Sequence, residues 1–225
     1  MPRRKFPFWC FVEGKLDGYA PRRRMLWMRE IRQKKHWVFD MDGTLTVAVH
    51  DFSAMRKELN LPESGGMLEH LRAMPEELSR PLIERLHTME RNYVEHAKAS
   101  EGAHDFLGRL RSHGRNIGIL TRNRYELALL TLEKAGLGEF FEPLHIIDRD
   151  RARVKPDPEG IHLLLEKWGA DVGDSVMIGD YIYDLQAGRA AGVFVIYVDP
   201  TGMFKFRDLA DLCVKNLGEL SEHLD

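Results

Sequence analysis

Three stretches of the chain share one pattern: a short run of β-type apolar residues, a polar residue, then helical spacing. They are His36-Trp37-Val38-Phe39-Asp40, Asn116-Ile117-Gly118-Ile119-Leu120-Thr121 and Ser175-Val176-Met177-Ile178-Gly179-Asp180. Continuous apolar runs of this length suit strands buried on both faces, as in a parallel sheet covered by helices. Leu144–Ile147 and Val193–Val198 read as two further strands. Helical spacing recurs over Ala103–Ser112, Arg124–Ala135, Glu159–Trp168 and Tyr183–Ala190. Asp157 can cap the third of these, with Pro158 at its first position. Gly136 and Gly192 follow the ends of two others, where left-handed backbone is wanted. Alternating strand and helix predicts an α/β fold, a doubly wound Rossmann-like parallel sheet.

The alternation breaks between the first and second strands. Residues 51–100 hold no convincing strand, yet helical spacing runs through Phe52–Leu59, Met67–Ala73 and Pro75 to Ala97. The expected organisation is a basic leader over 1–34, an α/β core over 35–50 and 101–225, and a small helical cap over 51–100 inserted after the first strand.

Composition adds little until it is divided along the chain. Apolar residues at 44% and charged residues at 30% suit a soluble globular protein rather than a disordered one. No apolar run reaches the roughly 18 residues of a membrane span. Cys10 and Cys213 are too few and too far apart for a disulfide framework or a metal site, which points to the reducing cytoplasm. The net charge of −2 hides an asymmetry: residues 1–36 hold eleven Lys/Arg and three Asp/Glu, leaving 22 basic and 32 acidic residues for the remainder. A basic arm can bind nucleic acid or an anionic membrane. Its residues lack the regular aromatic interleaving of a single-strand binder, and Met25 and Met28 lie close to the first strand. It therefore reads as an incidental leader, with neither nucleic acid nor membrane expected as a partner.

Candidate chemistry gathers where the fold would place it. In an open parallel sheet, ligands bind beyond the carboxyl ends of the strands. Asp40, Thr121 and Asp180 each close a predicted strand, Asp42 lies two residues past Asp40, and Asp184 lies four past Asp180. Four carboxylates converging on one rim repel one another unless a cation is present, and carboxylate oxygens suit Mg²⁺. Lys155 supplies the opposite charge from the next connection, before Pro156, and an ammonium there can balance the carboxylates and hold a phosphate oxygen. Thr121-Arg122-Asn123 ends a strand and opens a helix, so its hydroxyl and N–H groups form a phosphate seat.

Asp40-Met41-Asp42-Gly43-Thr44-Leu45-Thr46 resembles the D-x-D-G-T-[LV]-[TV] signature of the haloacid dehalogenase-like superfamily. Thr121 resembles that family's second motif, Lys155 its third and Gly179-Asp180-x-x-x-Asp184 its fourth, in matching order from about Lys35 to the end of the chain. The insert is similar to the helical cap of subfamily I, the group of phosphoglycolate phosphatase-like enzymes, though shorter than such caps. The resemblance implies a phosphatase acting on a small-molecule phosphate ester. Asp40 would be the nucleophile that forms an aspartyl-phosphate, and Asp42 would protonate the leaving group and then activate water. Mg²⁺ would be held by Asp40, the backbone carbonyl of Asp42 and Asp180, supported by Asp184. Thr121 and Lys155, with the neighbouring Arg122 and Asn123, would hold the phosphate, and Gly43 would let the backbone turn closely around it.

Asp42 also argues against dehalogenase chemistry, which needs no acid there. Nothing marks Lys57 or Lys98 as the cap lysine of phosphonate-cleaving relatives. A sugar-phosphate mutase shares every core motif, and a non-catalytic RNA- or membrane-binding protein acting through the leader is the rival from another class. Substrate choice is expected to lie in the cap. There Arg56, Arg72, Arg80 and Arg91 each read as solvated surface residues, and His50, His70, His87 and His96 show no metal spacing. Asp148 and Asp150 read as part of a charged loop rather than a second metal site.

Overall fold

The computed structural model describes residues 30–47, 52–63, 66–221 and 224. Most of the leader, with Cys10, Met25 and Met28, therefore lies outside the described residues, as does His50.

Six strands form one parallel sheet: β1 (His36–Phe39), β2 (Asn116–Leu120), β3 (Ile146–Ile147), β4 (Ser175–Gly179), β5 (Phe194–Val198) and β6 (Leu212–Val214). Their order is β3-β2-β1-β4-β5-β6. The strand that carries Asp40 at its end is thus flanked by the two that end in Thr121 and Asp180. Phe39 pairs with Ile119 on one side and Ile178 on the other, and Asp40 N donates to Ile178 O at 2.8 Å.

Successive strand residues point to opposite faces, and both faces are covered. Trp37, Phe39, Ile117, Ile119, Val176 and Ile178 pack with Phe106, Leu107 and Leu110 of α4 (Ala103–Ser112) and Ala128 and Leu132 of α5 (Tyr125–Lys134). Val38, Leu120 and Met177 face α6 (Glu159–Trp168) and α7 (Ile182–Ala191) through Ile161, Leu164 and Ala187. This is the doubly wound arrangement expected from the pattern. Gly136 and Gly192 take φ of 70° and 78°. Asp157 Oδ1 accepts from Glu159 N at 3.0 Å, although α6 begins one residue after Pro158.

Two readings needed correction. Leu144–Ile147 yields only two strand residues, because Pro143–His145 forms a 3₁₀ turn; Pro143 has no N–H to give a ladder. The edge strand β6 and the short helix α8 (Gly218–Ser221) were not foreseen. Three or four residues are too few to carry a period.

Between β1 and β2 lie α1 (Phe52–Glu58), α2 (Met67–Arg72) and α3 (Glu76–Val94). They share their own apolar cluster of Met55, Leu59, Leu61, Leu71 and Leu86. The chain enters and leaves this helical segment along two adjacent connections. Val47 N donates to Lys98 O and Ser100 N to Leu45 O, both at 2.9 Å, and Thr46 and Ala99 form an antiparallel bridge.

Packing starts before the leader boundary read at residue 34. Residues 30–33 form a helical turn; Ile31 is buried in the main core, and Lys34 Nζ donates to Gly173 O at 2.8 Å. Among the described residues no helix is long and apolar enough to cross a membrane.

Candidate active site

The loop after β1 is a tight turn. Leu45 N and Thr46 N both donate to Met41 O at 2.9 Å, and Gly43 N donates to Thr46 O at 2.8 Å. Gly43 takes φ 90°, and a Cβ there would collide with the Asp180 carboxylate. A glycine is thus required both for the left-handed backbone and for the approach of Asp180. Gly43 was expected to let the backbone turn around phosphate; the structure shows that it also makes room for the Asp180 carboxylate. Gly179 does the same for Asp184, whose Cβ and carboxylate occupy the place of a side chain.

Asp40, Asp180 and Asp184 converge, each offering an oxygen within 4.8 Å of the others. Lys155 is 3% exposed among them, donating to Asp40 Oδ1 and lying 2.6 Å from Asp184 Oδ1. It is therefore no surface lysine. Thr44 Oγ1 donates to Asp180 Oδ1 at 3.2 Å. Asp184 sits in the first turn of α7, where its Oδ2 accepts from Tyr181 N at 2.9 Å. Both Asp184 oxygens are thus engaged.

The electrostatics follow from burying four acids beside one ammonium. Burial, then Asp40 and Asp184, push Asp180 up to about 9. Burial and the neighbouring Asp40 raise Asp184 to about 6 against the pull of Lys155. Asp40 is raised too, by burial first, with Lys155 opposing. For Lys155, burial disfavours the charge, but Asp184 and Asp40 outweigh it and its pKa goes up. Such a set, starved of positive charge, is what a hard dication with oxygen ligands neutralises.

Asp42 stands slightly apart. Asn123 Nδ2 donates to its Oδ2 at 2.6 Å, while burial raises it to about 6 despite that bond. Thr121 is buried at the end of β2 and accepts from Asn123 N at 3.1 Å, which leaves its own hydroxyl proton free to donate. The Arg122 guanidinium lies 5.2 Å over the Tyr183 ring. Asp148 is buried, its Oδ1 3.6 Å from Arg151 Nε.

Sequence reasoning missed the roles of Thr44, Gly179 and Tyr183, though the first two stand inside the quoted motifs. It also missed Arg149, which reaches from the loop after β3 to Glu90 and His87 of α3 at 3.5 and 3.4 Å. No local pattern announces that contact.

Against known proteins, the family described as haloacid dehalogenase-like hydrolase matches residues 54–198. That stretch includes Thr121, Lys155, Asp180 and Asp184 but begins after Asp40. Pyrophosphatase PpaX of Bacillus pumilus is 30% identical over 172 residues, 69% of this chain and 78% of that protein. Its namesake from Bacillus velezensis is 34% identical over 92 residues, 41% of this chain and 42% of that protein. Among solved structures, a hydrolase from Pseudomonas syringae superposes with a TM-score of 0.69 at 26% identity, covering 85% of this chain and 98% of that one.

Proposed function

This chain belongs to the haloacid dehalogenase-like hydrolase family, and from that premise we propose that it is a Mg²⁺-dependent phosphatase of small phosphorylated metabolites, working through an aspartyl-phosphate. The observation that carries the reading is the convergence of Asp40, Asp180 and Asp184, beyond the adjacent strands β1 and β4, with Lys155 from the connection after β3.

The carboxylate set fits Mg²⁺, with Asp40 and Asp180 as ligands. The carbonyl of Asp42 completes the protein ligands, and Asp184, its two oxygens already engaged, holds Lys155 and the loop in place. When bound, the ion neutralises charge so that an anionic nucleophile can meet an anionic phosphate.

The chain's own groups do the rest. Asp40 attacks phosphorus in line and the ester oxygen leaves. Asp42, poised near neutrality by burial, hands its proton to that oxygen; the resulting carboxylate then takes a proton from the water that cleaves the aspartyl-phosphate. Asn123 fixes Asp42 in this position through its amide. Thr121 and Lys155 hold the equatorial oxygens, preorganised for the transition state. Lys155 must partly release Asp40 for this, which an incoming phosphate oxygen makes favourable. The relatives named pyrophosphatase take, by that name, a phosphoanhydride, which the same constellation would cleave. Cys213, a buried cysteine, suits the reducing cytoplasm.

The test is phosphate release from a panel of phosphomonoesters and pyrophosphate, with Mg²⁺ and with EDTA. Release from at least one compound, abolished by EDTA and restored by Mg²⁺, is expected. Release that persists undiminished in EDTA, or no release from any compound, overturns the reading.

A further inference from the structure

Arg149 joins the inserted helices to the loop that carries Asn123. Its side chain leaves the loop after β3 for α3, where Nη1 donates to Glu90 Oε1 at 3.5 Å and Nη2 to His87 Nε2 at 3.4 Å. Its backbone turns the other way: Arg149 N donates to Asn123 O at 3.2 Å. Asn123 in turn donates through Nδ2 to Asp42 Oδ2 at 2.6 Å, and through its backbone N to Thr121 Oγ1 at 3.1 Å. Successive hydrogen bonds therefore run from Glu90 through Arg149 and Asn123 to Asp42, with a branch to Thr121.

The charged link in this series is ill suited to stability alone. Arg149 and Glu90 are largely buried, and Arg149 Nε, buried as well, meets no acceptor among the described residues. Two charges taken out of water lose their hydration, and an apolar pair of similar volume often stabilises as well or better. What a guanidinium adds is direction, because it binds only along its fixed N–H bonds, whereas apolar contact is non-directional.

Direction matters at Asp42. As the bond from Asp40 to phosphorus forms and the ester P–O bond breaks, the proton moves from Asp42 to the departing oxygen. The Asn123 amide donates to Oδ2, so the proton of the acid form sits on Oδ1. A misplacement of about 1 Å can cost such a step about a hundredfold. Resting on the phosphatase reading above, we propose that Arg149 is a positioning residue for this proton transfer. Pinned to Glu90 and His87, it holds the Asn123 loop so that Asp42 faces the leaving oxygen.

The experiment compares kcat/KM, which reports on the phosphorylation of Asp40, for two kinds of ester. One is p-nitrophenyl phosphate, whose phenolate departs without a proton. The other is an alkyl phosphate, whose alkoxide needs one. In Arg149→Met the alkyl ester should lose about tenfold or more and the aryl ester less than about threefold, and Arg149→Lys should recover part of the difference. Where Arg149→Met is too unstable to assay, Arg149→Met with Glu90→Leu decides, since it strands no charge. Its Tm should approach that of wild type while the selective loss on the alkyl ester persists. Equal losses on both esters, no loss on either, or a double variant that regains the alkyl ester along with its Tm would overturn the inference and leave the phosphatase reading standing. The same holds if wild type cleaves the aryl ester but no alkyl ester, for then no such proton transfer needs positioning. If no phosphate ester is hydrolysed at all, both fall together.

Discussion

At Asp40 the proposed chemistry depends on a single carboxylate oxygen, and the structure separates that role from folding. Asp40→Asn keeps the shape and an acceptor for Lys155 while removing a negative charge from a crowded set. The fold should persist with an unchanged or higher Tm in EDTA, and turnover should be lost, since an amide cannot form the acyl-phosphate. More than about a tenth of wild-type hydrolysis, a barrier change below roughly 1.4 kcal/mol, would remove Asp40 from its role. Gly43→Ala tests the neighbouring turn. The left-handed φ and the collision with Asp180 together should cost about 1–3 kcal/mol and displace a proposed ligand, so calorimetry should find weaker Mg²⁺ binding than in wild type. Equal affinity would show that Asp180 is not held where the metal needs it. At this scale the sequence was highly legible, because Asp40, Asp180, Asp184 and Lys155 are each tied to a strand end or its following loop. The contact of Arg122 with the Tyr183 ring was not legible, since the two are distant in sequence.

Among the elements, the connection between the inserted helices and the core rests on a contact that no periodicity reveals. Arg149 Nη1 lies 3.5 Å from Glu90 Oε1, with side chains 7% and 12% exposed, so the pair is largely shielded from water. Removing one member of such a pair strands the other's charge, at a cost of about 3–5 kcal/mol, whereas replacing both with apolar groups is often near neutral. Arg149→Met should therefore lower Tm markedly, and adding Glu90→Leu should recover most of the loss. Additive losses in the double variant would mean that the two do not act as a pair. The long elements were readable because apolar residues repeat over ten or more positions, as in α4 and α6. β6 and α8 were not, being shorter than the period that would disclose them. The 3₁₀ turn at Pro143–His145 consumed half of a predicted strand for the backbone reason given by its proline.

For the whole molecule, stability should depend on pH through the buried acids. With Asp180 raised from 3.8 to about 9, and Asp42 and Asp184 to about 6, the native state binds more protons than the unfolded chain across that window. Unfolding free energy must then fall as pH rises from about 4 to about 9. Lys155 does not oppose this, since a raised ammonium pKa withdraws its stabilisation only above the ordinary lysine value of 10.5. In EDTA, Tm should drop between pH 5.5 and 8.5, and Mg²⁺ should raise Tm more at the higher pH, where it replaces absent protons. A larger Mg²⁺ effect at pH 5.5 would contradict the assignment. Where the folded unit begins is the second property at this scale. Ile31 is 1% exposed and Lys34 bonds Gly173 O, so the core reaches past the boundary expected at residue 34. A chain beginning at Met28 should melt and hydrolyse like the full one, but one beginning at Lys35 should lose about 1.5–3 kcal/mol from Ile31 alone. At roughly 2–4 °C per kcal/mol for a chain of this size, that is a drop of about 3–12 °C. The same pair of truncations decides between an enzyme with an incidental basic arm and a binder that works through it. If the arm were the working part, the Met28 chain would keep phosphatase activity yet lose a salt-sensitive complex with RNA or anionic vesicles. The expected result is no such complex for the full chain at physiological salt, and a sequence-selective RNA complex that vanishes on truncation to Met28 would reverse the ranking of the two classes.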